Sequence, residues 1–524
     1  MKRMAAGTIE RAHIRGMTNL EDTIGPLVRE LDAPSQHRVV RYAAASALIE
    51  LNARQAAPVL MKYADMSLEM SCLVEPVLAR WNYQPMRDVW LKRLNDHPPS
   101  RRRLNLAIDA LGKLREPTAA KATKKLLLDR SMTVTLRLAA ARALARIQTS
   151  DLEETARRLA SESSDSRTVG RLMAATLLSE HSGDKAKELL IELALDKQPA
   201  VAAIAIRRLL RIEPTAVFPH VPQLLKSRDG KLRRLAAECV ASVPKTESVK
   251  TLEPLLNDPH PDVRNFVRRA LAKFSENSNL ADPVIEAGRN VIRGESWRGL
   301  EQAAILLVVL DDKSVARRLV DLVGNPRFEV RVAAAWGLRK LAVPKALEGM
   351  LRMAKRESKR YREIDGTSEA VIGQLFQAFG QMKYRPAEDF MRDEYLAKKP
   401  VYGWHSRAAA AWAIGHLYEG RDNRELAKQL LERLEDVDPP PPAFPEYWEV
   451  RQMCAVSLGR MKAKSMLEKL KEWRNLEGID SQIGYTCAWA IHNITGEPLP
   501  KPNAQIQAQT DWFLEPVSSK TLND

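Results

Sequence analysis

The chain has 524 residues, too many for one ordinary globular core, and it is basic, with 82 Lys and Arg against 66 Asp and Glu. Apolar residues make up 45% of it, which excludes wholesale disorder. No stretch approaches the roughly 20 apolar residues of a membrane-spanning helix, and Glu10 and Arg11 break the opening MKRMAAGTIERAHIRG before a secretory signal can form. The expectation is a soluble, cytoplasmic protein.

Apolar residues recur at helical spacing in paired segments. The first pair is 23–31 with 36–51, followed by 56–65 with 67–81 and 86–95 with 101–114. Further pairs fall near 117–147, 151–181, 183–212, 216–243, 246–274, 280–310, 312–342, 344–383, 387–419, 422–462 and 464–494. Each is an A helix followed by a B helix, about fourteen pairs in all. Joints such as Glu213-Pro214, Asn325-Pro326 and Gly420 carry the residues that stop one helix and start the next. Residues 1–22 stand apart as an N-terminal segment. Residues 495–524 read as an extended tail packed on the last repeats, with Trp512 or Phe513 as its anchor.

Two stretches interrupt the regularity. The charged KRESKRYREIDGT (355–367) reads as an insertion, and DVDPPPPAFPE (436–446) as a stiff proline-rich crossover between an A and a B helix. In a repeat array such insertions tend to emerge on one face.

The B helices share a design, clearest in DPHPDVRNFVRRALAKF (258–274). Pro259 and Pro261 hold the entry extended, and Asp262 sits where the helix dipole favours negative charge. Val263, Phe266, Val267, Ala270, Leu271 and Phe274 then form one apolar stripe. An early Arg marks the repeat. From Arg137 through Arg171, Arg233, Arg264 and Arg298 to Arg331 the steps are 34, 62, 31, 34 and 33 residues, the long one spanning two repeats. A period in the thirties built from helix pairs is the pattern of an α-solenoid.

The motif D-x-V-R-x-x-[AV]-x-x-A-L resembles HEAT repeats, including the short bacterial HEAT-like type also named after phycobilisome lyases. The resemblance covers about 23–494 and implies an all-α superhelix. It also implies a structural role for the recurring Arg41, Arg137, Arg233, Arg264, Arg331, Arg407 and Arg451, each paired with an acidic residue of a neighbouring repeat. The competing reading lines a concave surface with them.

Charge is uneven: residues 101–146 carry twelve Lys or Arg against three Asp or Glu, whereas 401–524 carry fourteen against seventeen. The clusters Arg101-Arg102-Arg103, Arg207-Arg208 and Arg268-Arg269 are candidate partner contacts, since a basic face attracts acidic protein segments or polyanions. Trp412, four residues before His416 in the aromatic-rich C-terminal third, is another, as part of a peptide groove or of the core. No Trp or Tyr lies between Trp90 and Trp297, which argues against reading of nucleic-acid bases.

Motifs for metal-dependent hydrolysis, phosphate cradling or nucleophilic catalysis are missing. The iron-binding deoxyhypusine hydroxylases, whose fold this resembles, use His-Glu pairs, and no His-Glu dipeptide occurs here. Cys72, Cys239, Cys454 and Cys487 are scattered and read as small, buried, reduced helix residues, with no zinc site. The reading is a monomeric, non-catalytic scaffold without metal or cofactor that binds a protein partner, one with acidic segments. The alternatives are backbone-type nucleic-acid or polyanion binding by 101–273, and a HEAT-like lyase or hydroxylase.

Overall fold

The computed structural model describes residues 1–96, 100–161, 167–363, 366–396, 403–438 and 445–501. Among them are twenty-nine α-helices, nine short 3-10 helices and no strand. The architecture is an all-α solenoid of paired helices. Its repeats are shared between two compact units, Met1–Ser242 and Val243–Asp524.

In each unit a B helix packs on its own A helix and on the B helices before and after it, as Arg101–Lys113 packs on Val134–Ile147 and Trp404–Leu417 on Trp448–Arg460. A B helix is therefore covered on three sides and keeps one free face. Its entry is capped locally. Ser67, Ser100, Asp229 and Ser481 accept from backbone N–H groups two or three residues on, satisfying donors that the first turn leaves without partners. At Pro261–Phe274 the cap is His260, whose Nδ1 accepts from Asp262 N at 3.3 Å, and Asp258 in turn holds His260 N at 2.7 Å.

The exit is equally regular. Asn52, Arg115, Asp311, Ala342, Lys383 and Lys462 each adopt a left-handed conformation, φ between 47° and 55°. Each is followed within two residues by a one-turn 3-10 helix that opens the next A helix, as in Arg54–Ala56, Pro117–Ala119 and Lys464–Met466.

The recurring Arg occupies the fourth position of its B helix in all seven repeats named above. A helical side chain leans toward the N-terminus, so the guanidinium reaches back over the A–B turn. There it donates to carbonyls that end the A helix. Arg41 Nη2 reaches Ala33 O at 2.6 Å, and Arg137 Nε reaches Leu127 O at 2.8 Å. Arg233 binds Ser227 O at 2.8 Å and Arg264 binds Asp258 O at 2.8 Å. Arg407 Nε meets Tyr395 O at 3.0 Å and Arg451 Nε meets Leu434 O at 2.8 Å, each the last residue of its A helix or next to it.

Acidic residues of the following repeat stand beside three of those in the second unit. Arg331 lies 3.4 Å from Glu357, Arg407 grips Glu446 through both terminal nitrogens at 2.5 Å, and Arg451 holds Glu477 at 2.9 Å. Arg298, the marker of another repeat, is the second residue of its helix and instead stacks on Trp297, 4.8 Å from the ring centre.

The irregular stretches differ from expectation in instructive ways. The N-terminal segment contains a helix, Lys2–Ile14, packed on Arg38–Glu50, with Ser46 Oγ donating to Glu10 at 3.0 Å. Most of the charged 355–367 is no insertion: the A helix Leu347–Glu363 runs through it. Its Glu357 and Ser358 turn inward, both 1% exposed, and Ser368 Oγ donates to Glu357 at 2.6 Å. The proline-rich crossover is tied at its base by Glu446 N on Asp436 O at 2.8 Å, and residues 439–444 lie outside the described residues. The tail folds back at its start, where Glu497 O meets His492 Nδ1 at 2.6 Å. Residues 502–524, with Trp512 and Phe513, lie outside the described residues.

Small residues let consecutive B helices approach closely. A methyl group built on Gly459 would stand 2.6 Å from Ala490 Cα, and one on Gly380 2.6 Å from Ala413 Cα. Overpacking at such a backbone crossing costs about 1–3 kcal/mol, so Gly459→Ala is expected to lower stability by that amount in urea unfolding. Arg407→Ala, which strands the buried Glu446 carboxylate, is expected to cost about 3–5 kcal/mol. Arg269→Ala, at an exposed position, is expected to stay within about 0.5 kcal/mol in the same assay.

Candidate functional site

The candidate arginines divide by neighbour rather than by cluster. Arg101 and Arg102 open the helix Arg101–Lys113, are exposed, and have no side-chain partner among the described residues. Arg103, one position on, turns to Asp65, pairing with its carboxylate at 3.0 Å and its carbonyl at 3.0 Å. It joins a network in which Arg93 bridges Asp65 and the fully buried Glu75. Arg207 is exposed, whereas Arg208 caps His181 O at 2.6 Å and Glu180 O at 2.8 Å. Arg268 donates to Gln302 at 3.0 Å, and burial, with Arg269 beside it, lowers its pKa. Arg269 is exposed and donates to Asn265 O of its own helix at 3.3 Å. Arg101, Arg102, Arg207 and Arg269 thus remain for contact, while Arg103, Arg208 and Arg268 are held by the fold. They belong to both units: Arg101–Arg103, Arg207 and Arg208 to the first, Arg268 and Arg269 to the second.

Trp412 is 8% exposed. One side of it packs on His416, ring centres 4.1 Å apart, and the Arg460 guanidinium lies 5.3 Å from its ring and 5.9 Å from that of Trp489. Burial lowers the Arg460 pKa to about 10, with Glu419 opposing. Trp412 also lines a small groove, about 30 Å³, with Trp404, His405, Gln377, Glu449 and Met453. The tryptophan is both core and groove.

The sequence reading missed a regularity around that groove. Four B helices of the second unit open on aromatic residues: Trp297, Phe328, Trp404 and Trp448. Phe328, Trp404 and Trp448 are 40%, 39% and 46% exposed, and Tyr447 beside the last is 51% exposed. The first unit carries a different free face. Arg38, Val39, Tyr42, Met66 and Glu69 line one depression, and Tyr42, Leu68, Cys72, Leu73 and Arg102 the next. These positions are legible only when successive B helices are laid in register.

Cys239, Cys454 and Cys487 are buried, as expected of structural thiols, and burial pushes Cys239 up to about 11 and Cys487 to about 12. Among the described residues, no three His, Cys, Asp or Glu side chains gather as metal ligands, and no helix is long and apolar enough to cross a membrane.

Comparison with known proteins agrees with this geometry. Residues 218–290 match the family model of HEAT repeats, and residues 40–65 that of the PBS lyase HEAT-like repeat. The chain is a HEAT-like all-α repeat protein. Among solved structures, one of Kap95p with RanGDP is similar over 93% of this chain and 70% of that one, with TM-score 0.53 at 14% identity. Yeast importin-β (Kap95p) is similar over 94% and 72%, with TM-score 0.51 at 13% identity. At these identities the likeness is one of fold. No curated protein matches the chain in sequence.

His416 offers a pH test of this region. It is 7% exposed, and burial, reinforced by Arg460, lowers its pKa from 6.5 to about 3. The imidazole stays neutral in the fold and gains a proton on unfolding below pH 6.5. Stability is therefore expected to fall as pH drops from 6.5 toward 3, by about 1.4 kcal/mol per unit from this group. Urea unfolding of His416→Gln beside the parent protein at several pH values measures the slope, which the variant is expected to lack.

Proposed function

We propose that this protein is a non-catalytic scaffold that binds a protein partner along the free faces of its B helices. The observation that carries this reading is the row of large apolar side chains left exposed there, Val39, Tyr42 and Leu68 in one unit and Phe328, Trp404 and Trp448 in the other. Aligned apolar exposure of this kind marks interaction surfaces. The fold is consistent with it, because a stack of helix pairs builds an extended surface. Kap95p, similar in fold, is described with RanGDP and with Nup1.

Binding of nucleic acid by 101–273 is the weaker reading. The positive charge is spread over different sides of the repeats: Arg102 and Arg142 are exposed on B helices, whereas Lys121 and Lys125 are exposed on the A helix Ala120–Leu128. Three of the candidate arginines are consumed in hydrogen bonds within the fold.

Capture by the intact, tagged protein from nuclease-treated extract separates the two. A protein partner is expected to be retained after nuclease treatment, and to be weakened about tenfold by Arg101→Glu with Arg102→Glu, with helicity unchanged by circular dichroism. Loss of everything captured on nuclease treatment would favour the polyanion. Titration against duplex DNA and RNA then shows it as a steep fall of affinity with salt.

A further inference from the structure

The free face of the first three B helices is apolar in its floor and cationic at its edges. Val39, Tyr42, Met66 and Leu68 are 37–42% exposed. They come from neighbouring repeats, yet Tyr42 and Glu69 border both depressions, so the two form one continuous surface. Arg38 stands at one edge and Arg102 at the other, both exposed and without a side-chain partner among the described residues. Glu69, the one carboxylate, is held by the helix start. Its own backbone N–H and Ser67 hydrogen-bond to it, with Arg38 nearby, and its pKa is lowered. Farther along, Arg142 is exposed in the middle of Val134–Ile147. An exposed residue there lies on the one face that neighbouring helices leave uncovered.

We propose that this surface binds an amphipathic peptide segment of a partner protein, its apolar side chains on Tyr42, Leu68 and Leu73 and its acidic ones against Arg38 and Arg102. Charge complementarity selects the acidic class. Arg38 and Arg102 flank a lining whose one carboxylate, Glu69, is already held at its helix start. Apolar contact supplies the affinity, because exposed ion pairs contribute little by themselves. The proposal rests on the scaffold reading and names what one unit of it takes.

The surface contains its own reporter. Cys72 borders it and is partly exposed, while Cys239, Cys454 and Cys487 are buried. A mild thiol reagent on the intact native chain is therefore expected to titrate one cysteine rapidly and the other three only after unfolding. The probe is a synthetic peptide of Leu and Glu, with Leu at i, i+3, i+4 and i+7. It is expected to slow modification of Cys72 about tenfold at saturation. Arg38→Glu with Arg102→Glu is expected to raise the peptide concentration needed by at least about tenfold, and Tyr42→Ser to do so with the charges intact. Arg38 and Arg102 are solvent-exposed, so the reversal leaves the core in place, and circular dichroism checks this.

Absence of protection overturns the proposal, as does equal protection by the same peptide with Lys in place of Glu. Equal protection by duplex DNA assigns the face to a polyanion instead. Protection that grows with protein concentration in the absence of peptide assigns it to a second copy of the chain. A captured partner that leaves Cys72 reactive would sink this site while leaving the scaffold reading intact.

Discussion

One contact recurs through both units: a guanidinium at the fourth position of a B helix, laid on the carbonyls that end the A helix before it. A helix finishes with carbonyls that have no intrahelical partner, and in a stack of short helices such ends recur in every pair. Water reaches them poorly once the next repeat packs on top. Arg suits the task because its planar fork offers several donors at fixed angles and keeps its charge under burial. A lysine at the same place would present one flexible point charge. The seal fixes the angle between the two helices of a pair, and that angle sets how the free faces of successive B helices line up.

At three positions of the second unit a carboxylate joins this contact. Arg331, Arg407 and Arg451 are 1%, 0% and 8% exposed, and a guanidinium buried that deeply needs a counter-charge. Glu357, Glu446 and Glu477 supply it from the following repeat. In the first unit Arg41 is partly exposed and donates to the carbonyls of Ala33 and Pro34, while Arg171 pairs with Asp196 of the following repeat. The two units thus share a backbone seal, buried alike at Arg137 and Arg233 in the first and at Arg264 and Arg451 in the second. Their free faces differ, mixed apolar and cationic in one, with Tyr42 between Arg38 and Arg102, and aromatic at several helix starts in the other.

The helix pairs were legible in the sequence because period and punctuation agree, with apolar stripes at helical spacing between Pro, Asn and Asp joints. Other features were not. Gly420 and Gly496 mark two left-handed exits, but six others carry Asn, Arg, Asp, Lys or Ala, which no common residue type announced. Glu357 lies within KRESKRYRE, where charge density suggested a solvated insertion. It is buried because its helix runs two turns farther than the local composition implied. The arginine pairs were read as units, but adjacent helical residues point about 100° apart. One member therefore meets the neighbouring repeat, as Arg268 meets Gln302, while the other meets water. Which one does so depends on a partner helix some thirty residues away, and local pattern carries no such information.

The crossover after Arg424–Leu434 is pinned at both ends: Asp436 accepts from Glu446 N and pairs with Arg433 at 3.0 Å, and Glu446 is clasped by Arg407. With the two ends stapled at a set separation, the register of the flanking helices is decoupled from the length of chain between them. Closing a longer loop adds only about 0.6 kcal/mol for each doubling. This makes the span an insertion port, where a tag, an epitope or a whole domain can be spliced while the repeats on either side keep their alignment.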